Sequence, residues 1–362
     1  MSAERHAARQ LMSGNEALAE GAIQAGCDAY FGYPITPQNE IPEYMARRMP
    51  EEGRVFVQSE SELAAISMVM GAALTGARAM TTSSSPGISL MQEGISYLCG
   101  CELPAVIANV VRGGPGLGNI AAAQSDYFQA VKGGGHGDYR LFVIAPASVQ
   151  EMYDFAYLAF DAAFAYRNPA MILSDGLIGQ MMEPVVFRAP LHLRIAAANY
   201  DASSWALTGA KGRPPRSIKS LLLGDGVLEA HNQKLQAKYQ QMCAQVRYEA
   251  LQTDDAEHIF VAYGICARIC HGALARLRGE GLRVGLLRPI SLWPFPTAWL
   301  RAQAPRVRHI MAVELSCGQM VEDVRLAVGD ATRVAFYGRS GGGVMTVDEL
   351  CAEARRVFTQ EQ

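Results

Sequence analysis

No apolar run in this 362-residue chain is long enough to cross a bilayer, because the longest ones are interrupted by Gly, Ser and Thr. Residues 1–10 carry no secretion-signal core, so a cytoplasmic protein is expected. Excess charge is missing too: 32 basic against 35 acidic residues leave a net −3, which argues against nucleic acid or an anionic membrane surface as a partner. The eight cysteines, at 27, 99, 101, 243, 266, 270, 317 and 351, form no C-x-x-C pair, so neither a structural zinc site nor a cysteine-held cluster is expected. Cys266 and Cys270 can share a helix face, with Cys317 the only guess for company; reduced core thiols are the expectation. Electrons, if this protein moves any, are then carried on another chain.

Nucleotide motifs are also absent. The run Gly113-Gly114-Pro115-Gly116-Leu117-Gly118 matches neither dinucleotide nor P-loop spacing, and no Lys-Ser/Thr follows, so it reads as a flexible active-site loop. Gly224-Asp225-Gly226 resembles the start of a diphosphate and magnesium site, but the nearby Asn232 is too close to be the second ligand. A turn opening a polar helix is the better reading.

What the chain does have is apolar mass. At 50% hydrophobic and 19% charged it can bury a large core, and its length suggests two domains. Helical and strand patterns alternate over the first half. Strands are expected at 28–32, 54–58, 78–83, 105–111, 141–145 and 170–174, and helices at 15–25, 38–49, 62–74, 88–99 and 148–165. Uninterrupted apolar strands between helices imply an α/β fold with a parallel sheet covered on both faces. From 183 to 255 the rhythm breaks, and 225–251 reads as one long solvated helix. A second, smaller α/β unit follows, which gives expected bounds of 1–190, a linker at 191–255, and 256–362.

The most informative stretch runs from Arg54 to Leu74. A short apolar strand meets Glu60 and Glu62, after which some fifteen residues carry no charge and the helix should be buried all round. A carboxylate at such a buried helix start is either a cap, with Ser59 and Ser61 sharing the work, or a poised acid. Gly71, nine residues beyond Glu62, would permit a close backbone approach. In parallel sheets ligands gather beyond the carboxyl ends of the strands, and there stand Thr36, Glu62, Ser85 and Arg112. His136, in the run Gly133-Gly134-Gly135-His136-Gly137-Asp138, is a loop histidine, more often solvated than a ligand.

These residues carry a resemblance. Gly32-Tyr33-Pro34-Ile35-Thr36-Pro37, Gln58-Ser59-Glu60-Ser61-Glu62 with Gly71, Ser83-Ser84-Ser85-Pro86-Gly87, Arg112 and Glu314-Leu315-Ser316-Cys317-Gly318-Gln319 together resemble the alpha subunit of 2-oxoacid:ferredoxin oxidoreductases, in the 2-oxoisovalerate and 2-oxoglutarate branch. The resemblance implies a thiamine diphosphate pyrimidine-binding domain followed by a transketolase C-terminal-like domain. Glu62, matched by its spacing to Gly71 where Glu60 is not, would hydrogen-bond the pyrimidine and promote its imino tautomer. Pro34 and Ser85 would also touch the cofactor, and Thr36 and Arg112 would bind the substrate carboxylate, a planar anion that suits a guanidinium fork.

The resemblance further implies that diphosphate, Mg2+ and a [4Fe-4S] cluster sit on a beta subunit. Gamma and ferredoxin-like delta subunits, coenzyme A and ferredoxin complete the expected partners, and no metal is expected on this chain. The reaction implied is oxidative decarboxylation of a 2-oxoacid to an acyl-coenzyme A. Ketol transfer, non-oxidative decarboxylation and a non-catalytic subunit are the competing readings, the last opposed by the presence of Glu62, Thr36 and Arg112.

Overall fold

The computed structural model describes residues 9–195 and 200–359. The first body runs β1 (Arg9–Ser13), α1 (Gly14–Gln24), β2 (Ala29–Gly32), α2 (Glu40–Glu51), β3 (Val55–Gln58), α3 (Glu62–Leu74), β4 (Ala79–Ser83), α4 (Ser85–Gly100), β5 (Val106–Val111), α5 (Tyr127–Lys132), β6 (Phe142–Ile144), α6 (Val149–Tyr166), β7 (Ala170–Asp175), α7 (Gly176–Gln180) and β8 (Met182–Val186). Local chemistry sets the helix starts. Ser13 and Glu16 form a capping box on α1, and Ser61 and Ser148 accept the free amides of Ala64 and Glu151 at α3 and α6.

A polar segment then leads to α8 (Val227–Met242). The second body comprises β9 (Tyr248–Leu251), β10 (His258–Val261), α9 (Gly264–Gly279), β11 (Val284–Pro289), β12 (Ser291–Trp293), α10 (Thr297–Gln303), β13 (His309–Glu314), α11 (Met320–Val328), β14 (Arg333–Gly338) and α12 (Val347–Phe358). The expected long helix over 225–251 is corrected: α8 stops at Met242, and 248–251 pairs antiparallel with β11. Strand pairing overrides the helical preference of Glu249, Ala250 and Leu251. Gly226 starts α8 in the left-handed region, so Gly224-Asp225-Gly226 is a turn.

The large sheet has the order β12-β6-β7-β5-β4-β2-β3, parallel except for β12, which crosses over from the second body to pair with β6. The second sheet is β14-β13-β10-β11-β9. Strand β5, with every residue buried, reads V-I-A-N-V-V as a covered parallel strand should. From β2 the chain turns to β3 on one side and then to β4 on the other. This reversal opens a crevice beyond the carboxyl ends of β2 and β4, the place where such sheets bind ligands.

Helices α1 and α6 pack so closely that a Cβ on Gly21 would lie 2.3 Å from the Tyr153 carbonyl oxygen. Backbone cannot retreat as a side chain can. Gly21→Ala should therefore destabilise by about 1–3 kcal/mol, read as a midpoint several degrees lower in thermal unfolding.

Burial corrects one expectation. Helix α3 is not buried all round: Glu62, Ala65, Ile66, Val69 and Ala73 face the core, whereas Leu63 is 53% exposed and Gly71 has no atom near its missing side chain. Leu90 and Tyr97 on the neighbouring α4 are also exposed, as is Val55 on edge strand β3. Among the described residues no helix is long and apolar enough to cross a membrane.

Candidate active site

The loop after β2 carries Pro34 and Thr36, and two buried polar networks fix it. Asn15 Nδ2 donates to the Pro37 carbonyl at 2.8 Å and to Glu40 at 2.7 Å. Below it, Tyr30 and Thr82 share a hydrogen bond of 2.6 Å, Thr82 donates to Gln38 Oε1, and Gln38 Nε2 donates to the Tyr33 carbonyl. The loop thus reaches Thr36 in one defined path. Pro34 stands exposed and makes no hydrogen bond to the other candidates.

The structure separates the two glutamates. Ser59 donates to the Gly32 carbonyl at 3.1 Å and to the Ser61 carbonyl at 2.9 Å, which ties the turn before α3 to the end of β2. Ser61 supplies the cap, so neither glutamate is needed for it. Glu60 points outward, and Glu62 is 5% exposed. The carboxylate of Glu62 lies over Gly87 in the first turn of α4: a Cβ there would come within 2.4 Å of Glu62 Oε1 and 2.0 Å of Ser83 Oγ. The buried hydroxyls of Ser83 and Ser84 have no partner among the described residues, and Glu62 receives no hydrogen bond from them. A polar ligand at this strand end would satisfy these hydroxyls.

Arg112, at the end of β5, is 7% exposed. Its Nη1 donates to the Thr36 carbonyl and its Nη2 to the Leu117 carbonyl, each at 3.0 Å, while Nε is buried without a partner. No carboxylate pairs with it among the described residues. A buried guanidinium held only by carbonyls keeps its charge uncompensated, and an anion bound there would supply the balance. Ser85 joins this cluster through the main chain: its Oγ accepts from the Arg112 N–H at 3.1 Å. Thr36, Ser85 and Arg112 are therefore brought together, and Glu62 adjoins them across the first turn of α4.

Sequence reading missed the layer behind. Asn109 accepts from the Ser85 N–H at 3.1 Å and donates to Asp126 at 2.8 Å, so a side chain from β5 caps α4. Burial raises the Asp126 carboxyl above its ordinary range, opposed by hydrogen bonds from Ser85 and Asn109. The signal was available: Asn109 is the one polar residue in an otherwise apolar strand. His136 is exposed and contributes its carbonyl to Ser96, far down α4 from Ser85, so it stands away from this cluster. Cys266 and Cys270 are buried thiols, raised by desolvation, and Cys317 is exposed.

Comparison with known proteins matches the chain to a family. Residues 20–246 fit the model described as pyruvate flavodoxin/ferredoxin oxidoreductase, thiamine diphosphate-binding, and residues 256–350 fit pyruvate:ferredoxin oxidoreductase core domain II. Ketoisovalerate oxidoreductase subunit VorB of Methanothermobacter thermautotrophicus is 49% identical over 97% of this chain and 98% of its own length. The 2-oxoglutarate synthase subunit KorA of Archaeoglobus fulgidus is 38% identical over 91% and 94%. A solved 2-oxoglutarate:ferredoxin oxidoreductase from Magnetococcus marinus superposes with a TM-score of 0.85 at 26% identity, covering 96% of this chain and 65% of that one. A split-gene transketolase, at 14% identity and TM-score 0.61, shares the fold. The chain belongs to the 2-oxoacid:ferredoxin oxidoreductase family, as an alpha-type subunit.

Proposed function

We propose that this chain supplies the pyrimidine side and the substrate-carboxylate side of a thiamine diphosphate site whose diphosphate and magnesium end lies on a partner chain. Its residues fit the aminopyrimidine edge of that cofactor: a buried carboxylate and the unpartnered hydroxyl of Ser83 meet over Gly87. When bound, thiamine diphosphate supplies the nucleophilic carbon and the electron sink for decarboxylation of a 2-oxoacid. Glu62 would hold a proton for a nitrogen of the bound pyrimidine and exchange it there, a task suited to an acid kept from water. Arg112 and Thr36 bind the substrate carboxylate. Ser85 shapes the turn, since its hydroxyl is engaged by Arg112.

The observation that carries this reading is the buried guanidinium of Arg112, held by carbonyls alone, on the same rim of the sheet as the buried Glu62. The exposed apolar residues of α3 and its neighbour α4, Leu63, Leu90 and Tyr97, form the surface on which the partner chain docks, and this accounts for a helix body without charge after Glu62. The reaction is oxidative decarboxylation to an acyl-coenzyme A, with electrons leaving through partner-held [4Fe-4S] clusters to ferredoxin. A beta subunit is the diphosphate and cluster partner; gamma and delta subunits complete the complex.

2-Oxoisovalerate is the favoured substrate. The loop beside Arg112 presents Leu117 and Ile120 and has no cation between Gly113 and Ala121 to meet a second carboxylate, as 2-oxoglutarate would need. The purified complex should be brown and reduce ferredoxin or a viologen only when coenzyme A and 2-oxoacid are both present. Turnover compared on 2-oxoisovalerate, 2-oxoglutarate and pyruvate should be highest on the first; a colourless complex, or turnover independent of coenzyme A, would reject the reading.

A further inference from the structure

Arg112 owes its orientation in part to the Leu117 carbonyl, which belongs to the excursion 113–121. Little within the first body holds that excursion. Gly113 and Ala121 pair at its base, Asn119 N–H donates to the Gly113 carbonyl, and residues 115–120 are exposed, with Leu117 at 79% and Ile120 at 66%. Its anchors are in the second body. Just beyond its base, Gln124 bridges the segments that follow β10 and β13, at the point where the second sheet reverses its order. Gln124 N–H donates to the Leu315 carbonyl at 2.8 Å, Leu315 N–H donates to Gln124 Oε1 at 3.0 Å, and Gln124 Nε2 donates to the Tyr263 carbonyl at 3.0 Å. At the tip, Asn119 Nδ2 donates to the Gly341 carbonyl at 2.8 Å, while its Oδ1 accepts from the Ala121 N–H at 3.0 Å. The neighbouring Gly342 touches the same place: a Cβ there would lie 2.5 Å from that of Ala121.

We infer that the second body sets the geometry of the substrate-carboxylate site, with Asn119 as the positioning residue that transmits it through the Leu117 carbonyl to Arg112. The inference rests on the proposed role of Arg112. Simple adhesion between the bodies does not require Asn119, because the joint has stronger ties. Asp175 accepts from the Ile265 N–H at 2.8 Å, Gln319 exchanges hydrogen bonds with Phe128 N–H and the Ser125 carbonyl, and Asp323 meets both Tyr127 and Lys132. Losing one exposed bond at the loop tip leaves that joint standing. What it frees is the Leu117 carbonyl.

The test uses the assembled complex and separates KM from kcat. Asn119→Ala should raise the KM for the 2-oxoacid by roughly three- to tenfold, the effect of one hydrogen bond, with kcat, the KM for coenzyme A and the unfolding midpoint nearly unchanged. Gly342→Ala, placed wholly in the second body, should raise the same KM. Asn119→Ser keeps an acceptor for the Ala121 N–H but cannot reach Gly341, and should behave like Asn119→Ala; a wild-type KM for it would overturn the inference. If Arg112→Ala raises KM while neither Asn119→Ala nor Gly342→Ala does, the inference fails and the substrate site stands. If Arg112→Ala leaves KM unchanged, both fall together.

Discussion

Glu62→Gln in the assembled enzyme will lower turnover by roughly 10²–10⁴-fold, the range set by loss of a positioned proton donor and acceptor, and will leave assembly and folding intact. Glutamine keeps the size and the hydrogen-bonding outline but cannot hold an exchangeable proton in the same way. Stability should not suffer, because Ser61 and not Glu62 caps α3. Glu60→Gln, two residues earlier and exposed, should remain near the wild-type rate. Turnover and subunit co-elution measured on both variants decide the matter. Equal losses would mean that the helix start is merely electrostatic, and that burial does not single out position 62.

Arg112→Ala will raise the KM for the 2-oxoacid by roughly 10–100-fold, the equivalent of one charged hydrogen-bonded anchor, with a smaller effect on kcat. The guanidinium is buried, and its protein partners are the carbonyls of Thr36 and Leu117. Removing it leaves those carbonyls without their donor and the substrate carboxylate without its counter-charge. Arg112→Lys should recover only part of the affinity, since an ammonium cannot reach both carbonyls and a carboxylate in one plane. An unchanged KM would remove Arg112 from the site.

The strands and the crevice were legible because covered parallel strands are written as unbroken apolar runs, and their ends carry Thr36, Ser85 and Arg112 in view. Elements whose partners lie far off in sequence were not. Tyr248–Leu251 reads as helix and becomes a strand only because β11 is beside it; Ser291–Trp293 joins the sheet of the other body. Helix α3 shows a different limit: its uncharged body reads as buried all round, whereas the chain leaves Leu63 and Gly71 open, as the proposed docking face requires. In the site, the sequence distinguished Glu62 from Glu60 only by resemblance, and burial adds a physical reason. Asn109 stood out only as a lone polar residue in β5, and Asn119 escaped notice because its meaning lies in a tertiary neighbour, a carbonyl 222 residues away.

Proton exchange at the thiazolium C2 of thiamine diphosphate, followed in the assembled complex without substrate, tests the role of Glu62 most directly, since it needs neither ferredoxin nor a choice of 2-oxoacid. The wild-type complex should exchange that proton at least about a hundredfold faster than the Glu62→Gln complex at equal cofactor occupancy. Equal exchange rates in the two complexes would contradict the assignment of Glu62 to the pyrimidine ring.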